Sequence, residues 1–237
     1  MKARLVATDP VAEETAGFTF EVQAPFAFVA GQTCDLTIAS PRYADEKGSS
    51  RTFSIASSPL DRPRILFATR LTGSAFKRTL LEAPAGLEIE IEGPGGSFVL
   101  HKNTARPAVF FAGGIGITPF RSMIKDATER QLSHRIVLFY SNRNPRSTAF
   151  LSDLEAWQRA NANFRLVATI TDSSTTEPWT HARGLMTPAF VKPYLQAVAG
   201  AIYYLAGPPA FVKAMTAALA ELGADPDDIR SEEFAGY

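Results

Sequence analysis

The sequence predicts a two-domain protein, an antiparallel β-barrel followed by an α/β domain with a parallel sheet. Three observations predict it. Short β-forming runs separated by turn residues fill the first part of the chain; strand-like and helix-like segments alternate after about residue 104; and the polar stretch His101-Lys102-Asn103-Thr104-Ala105 lies between the two rhythms. The domains are therefore placed at residues 1–102 and 103–237. With 237 residues, 46% hydrophobic and 20% charged, the chain has core enough for both.

In the first domain the runs 17–22, 33–38 and 64–69 are rich in β-formers. Ala30-Gly31-Gln32, Ser40-Pro41, Ser58-Pro59 and Gly93-Pro94-Gly95-Gly96 supply the turns. Residues 75–82 are the exception, because Phe76, Leu80 and Leu81 fall at helical spacing. Many short strands with one helix suit a barrel, which closes its own edges. In the second domain, strands are expected at 108–112, 136–140, 164–169 and 202–206, and helices at 118–130, 148–160, 187–197 and 210–222. Strands apolar on both faces imply a parallel sheet covered by helices.

Composition excludes several classes. Lys+Arg and Asp+Glu number 24 each and no basic stripe is apparent, which argues against a nucleic-acid partner. The single cysteine, Cys34, excludes an internal disulfide, a four-cysteine zinc site and an iron–sulfur cluster held within this sequence. His101, His134 and His181 show no ligand spacing and read as surface or capping residues, so no metal is expected. Leu5-Val6-Ala7 is too short for a signal-peptide core, and the apolar stretch 108–117 is broken by Gly113, Gly114 and Gly116. A cytoplasmic protein without a membrane span is the expectation.

The sharpest motif is Phe110-Phe111-Ala112-Gly113-Gly114-Ile115-Gly116-Ile117-Thr118-Pro119. An apolar strand runs into a glycine-rich turn and a helix, with Thr118 read as N-cap and Pro119 as first helical residue. Glycines let backbone approach a diphosphate, and the helix start supplies N–H donors. A second strand enters Gly207-Pro208-Pro209 with the same logic, as the other wall of one cleft at the carboxyl ends of parallel strands. In the barrel, Arg51-Thr52-Phe53-Ser54 joins a guanidinium, an aromatic ring and a hydroxyl, suited to a phosphate and a flat aromatic cofactor. On a strand, Arg51 and Phe53 share one face and Ser54 takes the other. Gly73-Ser74-Ala75-Phe76-Lys77 is a further glycine-led helix start suited to a second diphosphate.

Together these residues resemble the ferredoxin–NADP reductase superfamily over essentially the whole chain, in a pattern close to NADH-dependent cytochrome b reductases and bacterial flavin-dependent ferredoxin reductases. The motifs come in the superfamily's order: Arg51-x-Phe53-Ser54, Gly73-Ser74, Gly93-Pro94-x-Gly96-x-Phe98, Gly114-x-Gly116-x-x-Pro119, Gly207-Pro208-Pro209 and Glu232-Glu233-Phe234. The resemblance implies an FAD-binding barrel and a nicotinamide-binding domain. It implies that Arg51, with Thr52 beside it, holds the FAD diphosphate, that Phe53 packs on the flavin, and that Ser54 hydrogen-bonds near its N5. Ala68, Thr69 and Arg70 would line the flavin, and Gly73, Ser74 and Ala75 would cradle the diphosphate. Gly114, Gly116, Thr118 and Pro119 would hold the nicotinamide half of the second cofactor. Ala206 stands where plant-type relatives carry a cysteine. Glu232 and Phe234 take the place of a Glu-x-Tyr ending, and either Phe234 or Tyr237 would cover the flavin's second face. Ser54, Glu232 and Phe234 are the expected catalytic group.

Ser141-Asn142-Arg143 by itself leans toward the 2′-phosphate of NADPH. Asp172, by contrast, stands where NADP-specific relatives carry an arginine, so the resemblance implies a preference for NADH with NADPH possible. The implied activity takes hydride from NAD(P)H and passes electrons to a separate acceptor, such as a ferredoxin-like protein or another redox partner. Two other readings are a free-flavin reductase and an electron-transfer subunit of a larger complex.

Overall fold

The structure is a computed structural model and describes residues 1–23 and 25–234. The first half forms strands β1 (Lys2–Ala12), β2 (Thr15–Val22), β3 (Thr33–Thr37), β4 (Ser50–Ser54), β5 (Arg64–Arg70) and β6 (Glu88–Gly95), with helix α1 (Ala75–Leu81) after β5. All pairings are antiparallel, in the order β4-β3-β6-β1-β2-β5. In β6 burial alternates over Glu88–Glu92, with Ile89 and Ile91 buried between exposed glutamates, as one core-facing side requires. The sheet curls until its edges meet just past β4, where the Ala56 N–H donates to the Leu66 carbonyl at 2.8 Å. Phe18, Phe20, Leu36, Ile65 and Phe67 fill the interior, and α1 covers it with Phe76 and Leu80.

The second half runs β7 (Ala108–Gly113), α2 (Ile117–Glu129), β8 (Ile136–Asn142), α3 (Leu151–Ala160), β9 (Phe164–Ile170), β10 (Ala182–Arg183), α4 (Pro188–Leu195), β11 (Ile202–Gly207), α5 (Pro209–Glu221) and β12 (Ile229–Glu233). It carries the four expected strand–helix pairs and adds two edge strands that the sequence did not announce, β10 and β12. Its strands are parallel in the order β10-β9-β8-β7-β11-β12. Helices α2 and α3 cover one face, α4 and α5 the other, so every residue of β7 is buried. From β7 the chain steps outward to β8 and β9, then returns to place β11 on the opposite side. The strand order therefore reverses between β7 and β11, where ligands of open α/β sheets bind.

The structure corrects the helix starts. The glycine turn winds up early, with Gly114 at φ +55°, so α2 begins at Ile117 behind Gly116. Thr118 is therefore not the N-cap: it lies buried inside the first turn and its Oγ1 donates to the Ile115 carbonyl at 3.2 Å. Helix α3 starts at Leu151, because Asn144 caps a tight turn over Pro145–Ser147 and Phe150 sits at φ +60°. Helix α4 ends at Leu195 and tightens into the turn Gln196–Val198.

The histidines also differ from expectation. His101 and His134 are buried with ring centroids 5.2 Å apart. His101 meets the Tyr204 hydroxyl and the Arg106 carbonyl, each at 3.0 Å, while His134 meets the His101 carbonyl at 2.7 Å. They join the connecting segment to β11. His181 pairs with Glu155 at 2.9 Å.

Candidate functional site

Between the two sheets lies a cavity of about 310 Å³. Arg51, Thr52, Phe53 and Ser54 reach it from β4, with Thr33 from β3; Ala68 and Thr69 come from β5, and Lys77 from α1. Ile115 and Thr118 come from the glycine turn and α2, and Glu232, Glu233 and Phe234 from the end of the described chain. The two faces expected of β4 both contribute, because the cavity wraps around the strand's end at Ser54. Phe53 leans on Phe67 and Phe76, with centroids 6.3 and 5.9 Å away, which fixes its ring at the wall.

Arg51 is heavily engaged. One guanidinium nitrogen donates to the carbonyls of Lys47, Gly48 and Ser50 at 2.7, 2.9 and 2.7 Å, and the other pairs with Asp45 at 2.9 Å. The Asp45 carboxylate also accepts the Ala75 N–H at 2.9 Å and the Lys47 N–H at 3.0 Å. The Ala75 N–H chiefly, then those of Lys47 and the Arg51 guanidinium, hold it below the usual carboxylate range. Lys77 donates to Thr72 Oγ1 at 3.2 Å; burial, then the charges of Lys47, Arg51 and Arg70, push its ammonium down.

Opposite them, burial pushes the Glu232 carboxyl up to about 7. The Ser54 hydroxyl lies close enough to moderate that shift, yet the pair forms no well-directed hydrogen bond. Among the described residues Ser54 Oγ and Glu232 Oε2 have no partner, nor does Ser74 Oγ beside α1. Unsatisfied buried polar atoms in a cavity wall are costly for the fold alone and suit a polar ligand.

A second crevice of about 490 Å³ adjoins the first, and Ile115 lines both. Gly113, Gly114, Ser141, Asn142, Arg143, Asn144, Ser147, Pro208 and Phe211 line it from the parallel sheet. Glu13, Glu14, Thr15 and Arg70 close it from the barrel. Here the glycines serve backbone approach. A Cβ on Gly116 would lie 2.3 Å from the Ala206 carbonyl oxygen, and Gly207, at φ +152°, packs on Gly113. Pro209 opens α5, and Pro119 is buried in the first turn of α2.

The first cavity thus gathers Arg51, Thr52, Phe53, Ser54, Ala68, Thr118, Glu232 and Phe234 of the expected set, and the second gathers Arg70, Gly114 and Pro208. Gly73, Ser74, Ala75, Gly116, Pro119, Gly207 and Pro209 line neither. Asp172 lines neither too: it leaves the end of β9, its N–H donates to the Arg143 carbonyl at 2.9 Å, and its carboxylate accepts from the N–H and hydroxyl of Ser174. Tyr237 lies outside the described residues. Sequence reasoning missed Thr33, Lys77, Ile115, Asn142 and Phe211 as wall residues. Lys77 alone carried a signal, as the only cation in its glycine-led helix start.

A family model described as the oxidoreductase NAD-binding domain matches residues 110–217. The chain is similar to reductase component 2 of terephthalate 1,2-dioxygenase from Comamonas sp, at 28% identity over 191 residues, 80% of this chain and 56% of that protein. It is similar to the xylene/toluene monooxygenase electron transfer component of Pseudomonas putida, at 30% identity over 213 residues, 88% of this chain and 58% of that protein. It thus spans little more than half the length of these curated relatives. Among solved structures, the Amycolatopsis cytochrome P450 reductase superposes with a TM-score of 0.84 at 25% identity, covering 99% of this chain and 70% of that one. The antiparallel sheet, the parallel sheet with its glycine turns at the switch point, and these likenesses give the chain the two-domain fold of the ferredoxin–NADP reductase-like superfamily.

Proposed function

We propose that this chain is the flavin- and nicotinamide-binding part of an electron-transfer reductase. It binds FAD in the first cavity, takes hydride from NADH in the second, and delivers electrons to a separate acceptor of the ferredoxin kind. The observation that carries this reading is the junction of the two cavities at Ile115, beside the unpartnered Ser54 and Glu232. Relatives named as reductase or electron-transfer components support it. Within these 237 residues the lone Cys34 is buried and its thiol is pushed up to about 12, so no cluster ligand set accompanies it and the acceptor lies elsewhere.

The donor set fits FAD. Arg51 and Lys77 supply positive charge for the diphosphate, with Gly73, Ser74 and Ala75 beside them. Thr33, Thr52 and Thr69 supply hydroxyls, Phe53 an apolar wall, and Ser54 and Glu232 the orphaned polar atoms. FAD, when bound, supplies the conversion of one hydride into single electrons. The protein's own work is alignment: Ser54 orients the reacting edge, Glu232 holds a proton near neutrality, and Phe234 covers the face that nicotinamide must reach. Gly114 and Pro208 line the second crevice so that backbone and dinucleotide approach closely; Gly116, Gly207 and Pro209 hold the packed turns behind it, and Thr118 faces the first cavity.

NADH preference rests on Asp172. It stands at the carboxyl edge of the sheet beside Arg143, which lines the crevice. A carboxylate accepts ribose hydroxyls and repels a 2′-phosphate, at a cost of ~1–4 kcal/mol even when partly screened. Anaerobic stopped-flow absorption of the FAD-loaded protein tests the whole reading. NADH should bleach the flavin faster than NADPH, Ser54→Ala should retain FAD but bleach slowly, and Asp172→Ser should narrow the coenzyme gap. No bleaching by either nucleotide sinks the proposal, and equal rates for both sink the NADH preference.

A further inference from the structure

Asp45 is the carboxylate nearest the expected diphosphate anchors, and its contacts are those an anion from a ligand would make. One oxygen meets the Arg51 guanidinium at 2.9 Å and the other accepts the Ala75 N–H at 2.9 Å. The Arg51 side chain is only 17% exposed, so its charge sits in partial shelter and needs a counter-ion. Arg51 is not the only cation at this corner. Lys77 lines the same cavity with no carboxylate partner among the described residues, and Lys47 and Arg70 are near enough to feel its charge.

Asp45 sits on an exposed segment outside the barrel core. Tyr43 ties the chain to α1, its N–H donating to Thr79 Oγ1 at 3.1 Å and its hydroxyl to Glu82 at 2.7 Å. Between that anchor and β4, residues 44–48 are exposed. None of these residues belongs to the barrel core, so a shift of Asp45 would uncover none of it.

We propose that Asp45 is an internal counter-ion which competes with the FAD diphosphate for Arg51 and the Ala75 N–H, so that FAD binding exchanges one anion for another. This rests on the reading that the first cavity takes FAD. Both anions cannot occupy the same donors, because their mutual repulsion in a half-buried corner opposes it. A diphosphate, with two charges and more oxygens, also engages Lys77, which Asp45 leaves without a carboxylate. Asp45 thereby holds Arg51 in place before the cofactor arrives and lowers the affinity for every ligand that brings a phosphate there.

Flavin fluorescence titration of the flavin-free protein tests the exchange, with FAD and riboflavin as probes. Asp45→Asn keeps the shape and a hydrogen-bond acceptor while removing the charge. It should tighten FAD about tenfold, the scale of one charge-assisted contact, and leave riboflavin unchanged. In an Arg51→Ala background the same substitution should give a much smaller gain. Weaker or unchanged FAD binding by Asp45→Asn overturns the proposal and makes Asp45 a positioning residue for Arg51. So does an equal gain for riboflavin, or the full gain without Arg51. Asp45→Ser provides a second uncharged variant, for which the same outcomes hold. If the unsubstituted protein binds neither flavin, it is the FAD reading that has failed.

Discussion

Glu232 has a carboxyl raised from 4.5 to about 7, chiefly by burial, so folding disfavours its charged form. Between those two values the folded state binds more protons than the unfolded chain. Stability therefore falls as pH rises through this window and stays reduced above it. Glu232→Gln should stabilise the protein by up to about 3 kcal/mol at alkaline pH and hardly at all near pH 4. Urea unfolding at the two pH values checks it; an equal difference at both would assign the gain to packing. At neutral pH a share of Glu232 is protonated beside Ser54, so under the proposed function it could hold a proton next to the flavin. The sequence marked both residues as part of a site, but their environment depends on β4 and β12 meeting across the interface between the sheets. No spacing within one segment carries that information.

The paired glycine turns show what an element contributes. Their place at strand ends was legible, because an apolar run followed by Gly-x-Gly and a helix has few other meanings. Their contacts were not. Gly116 touches the Ala206 carbonyl, and Gly207 touches Gly113, so the turns are packed on each other. Gly116→Ala should force the ends of β7 and β11 apart, destabilise by about 1–3 kcal/mol and weaken NADH binding more than FAD binding. Thermal unfolding with coenzyme titration reads both effects; unchanged coenzyme affinity would separate the turn from the second site. The same winding of the glycine turn moved the start of α2 ahead of Thr118, because glycine enters a helical turn where a bulkier residue would have needed a cap.

At the scale of the molecule, α2 joins the two sheets. Arg121 Nη1 donates to the Ala56 carbonyl at 2.7 Å, Ser122 Oγ to the Ser57 carbonyl at 2.6 Å, and Lys125 pairs with Asp61 at 2.5 Å. Arg121 also pairs with Asp153 at 2.7 Å and lies 4.6 Å from the Phe150 ring centroid and 5.3 Å from that of Trp157. Its side chain is 11% exposed, so Arg121→Ala strips partners from the buried Ala56 carbonyl and from the partly exposed Asp153 carboxylate. A loss of about 1.5–3 kcal/mol should follow. Because the Ala56 contact lies two residues past Ser54, hydride transfer should also slow while FAD affinity holds. Denaturant unfolding with single-turnover kinetics measures both; normal transfer in a destabilised variant would leave Arg121 a purely structural role.

The sequence by itself determined the two architectures, the four strand–helix pairs of the second half and the motifs at the strand ends, because periodicity and turn chemistry are local. It left three things to the tertiary structure. Burial of His101 and His134 depends on Tyr204, far along the chain, filling the space beside them. Lys77 lines the cavity because α1 folds back over the barrel beside β4. Asp45, which no motif marked, reaches Arg51 because its loop returns across the start of α1. Local sequence sets which backbone geometry is cheap, whereas charge pairing and burial are settled by segments that meet only after the chain has closed.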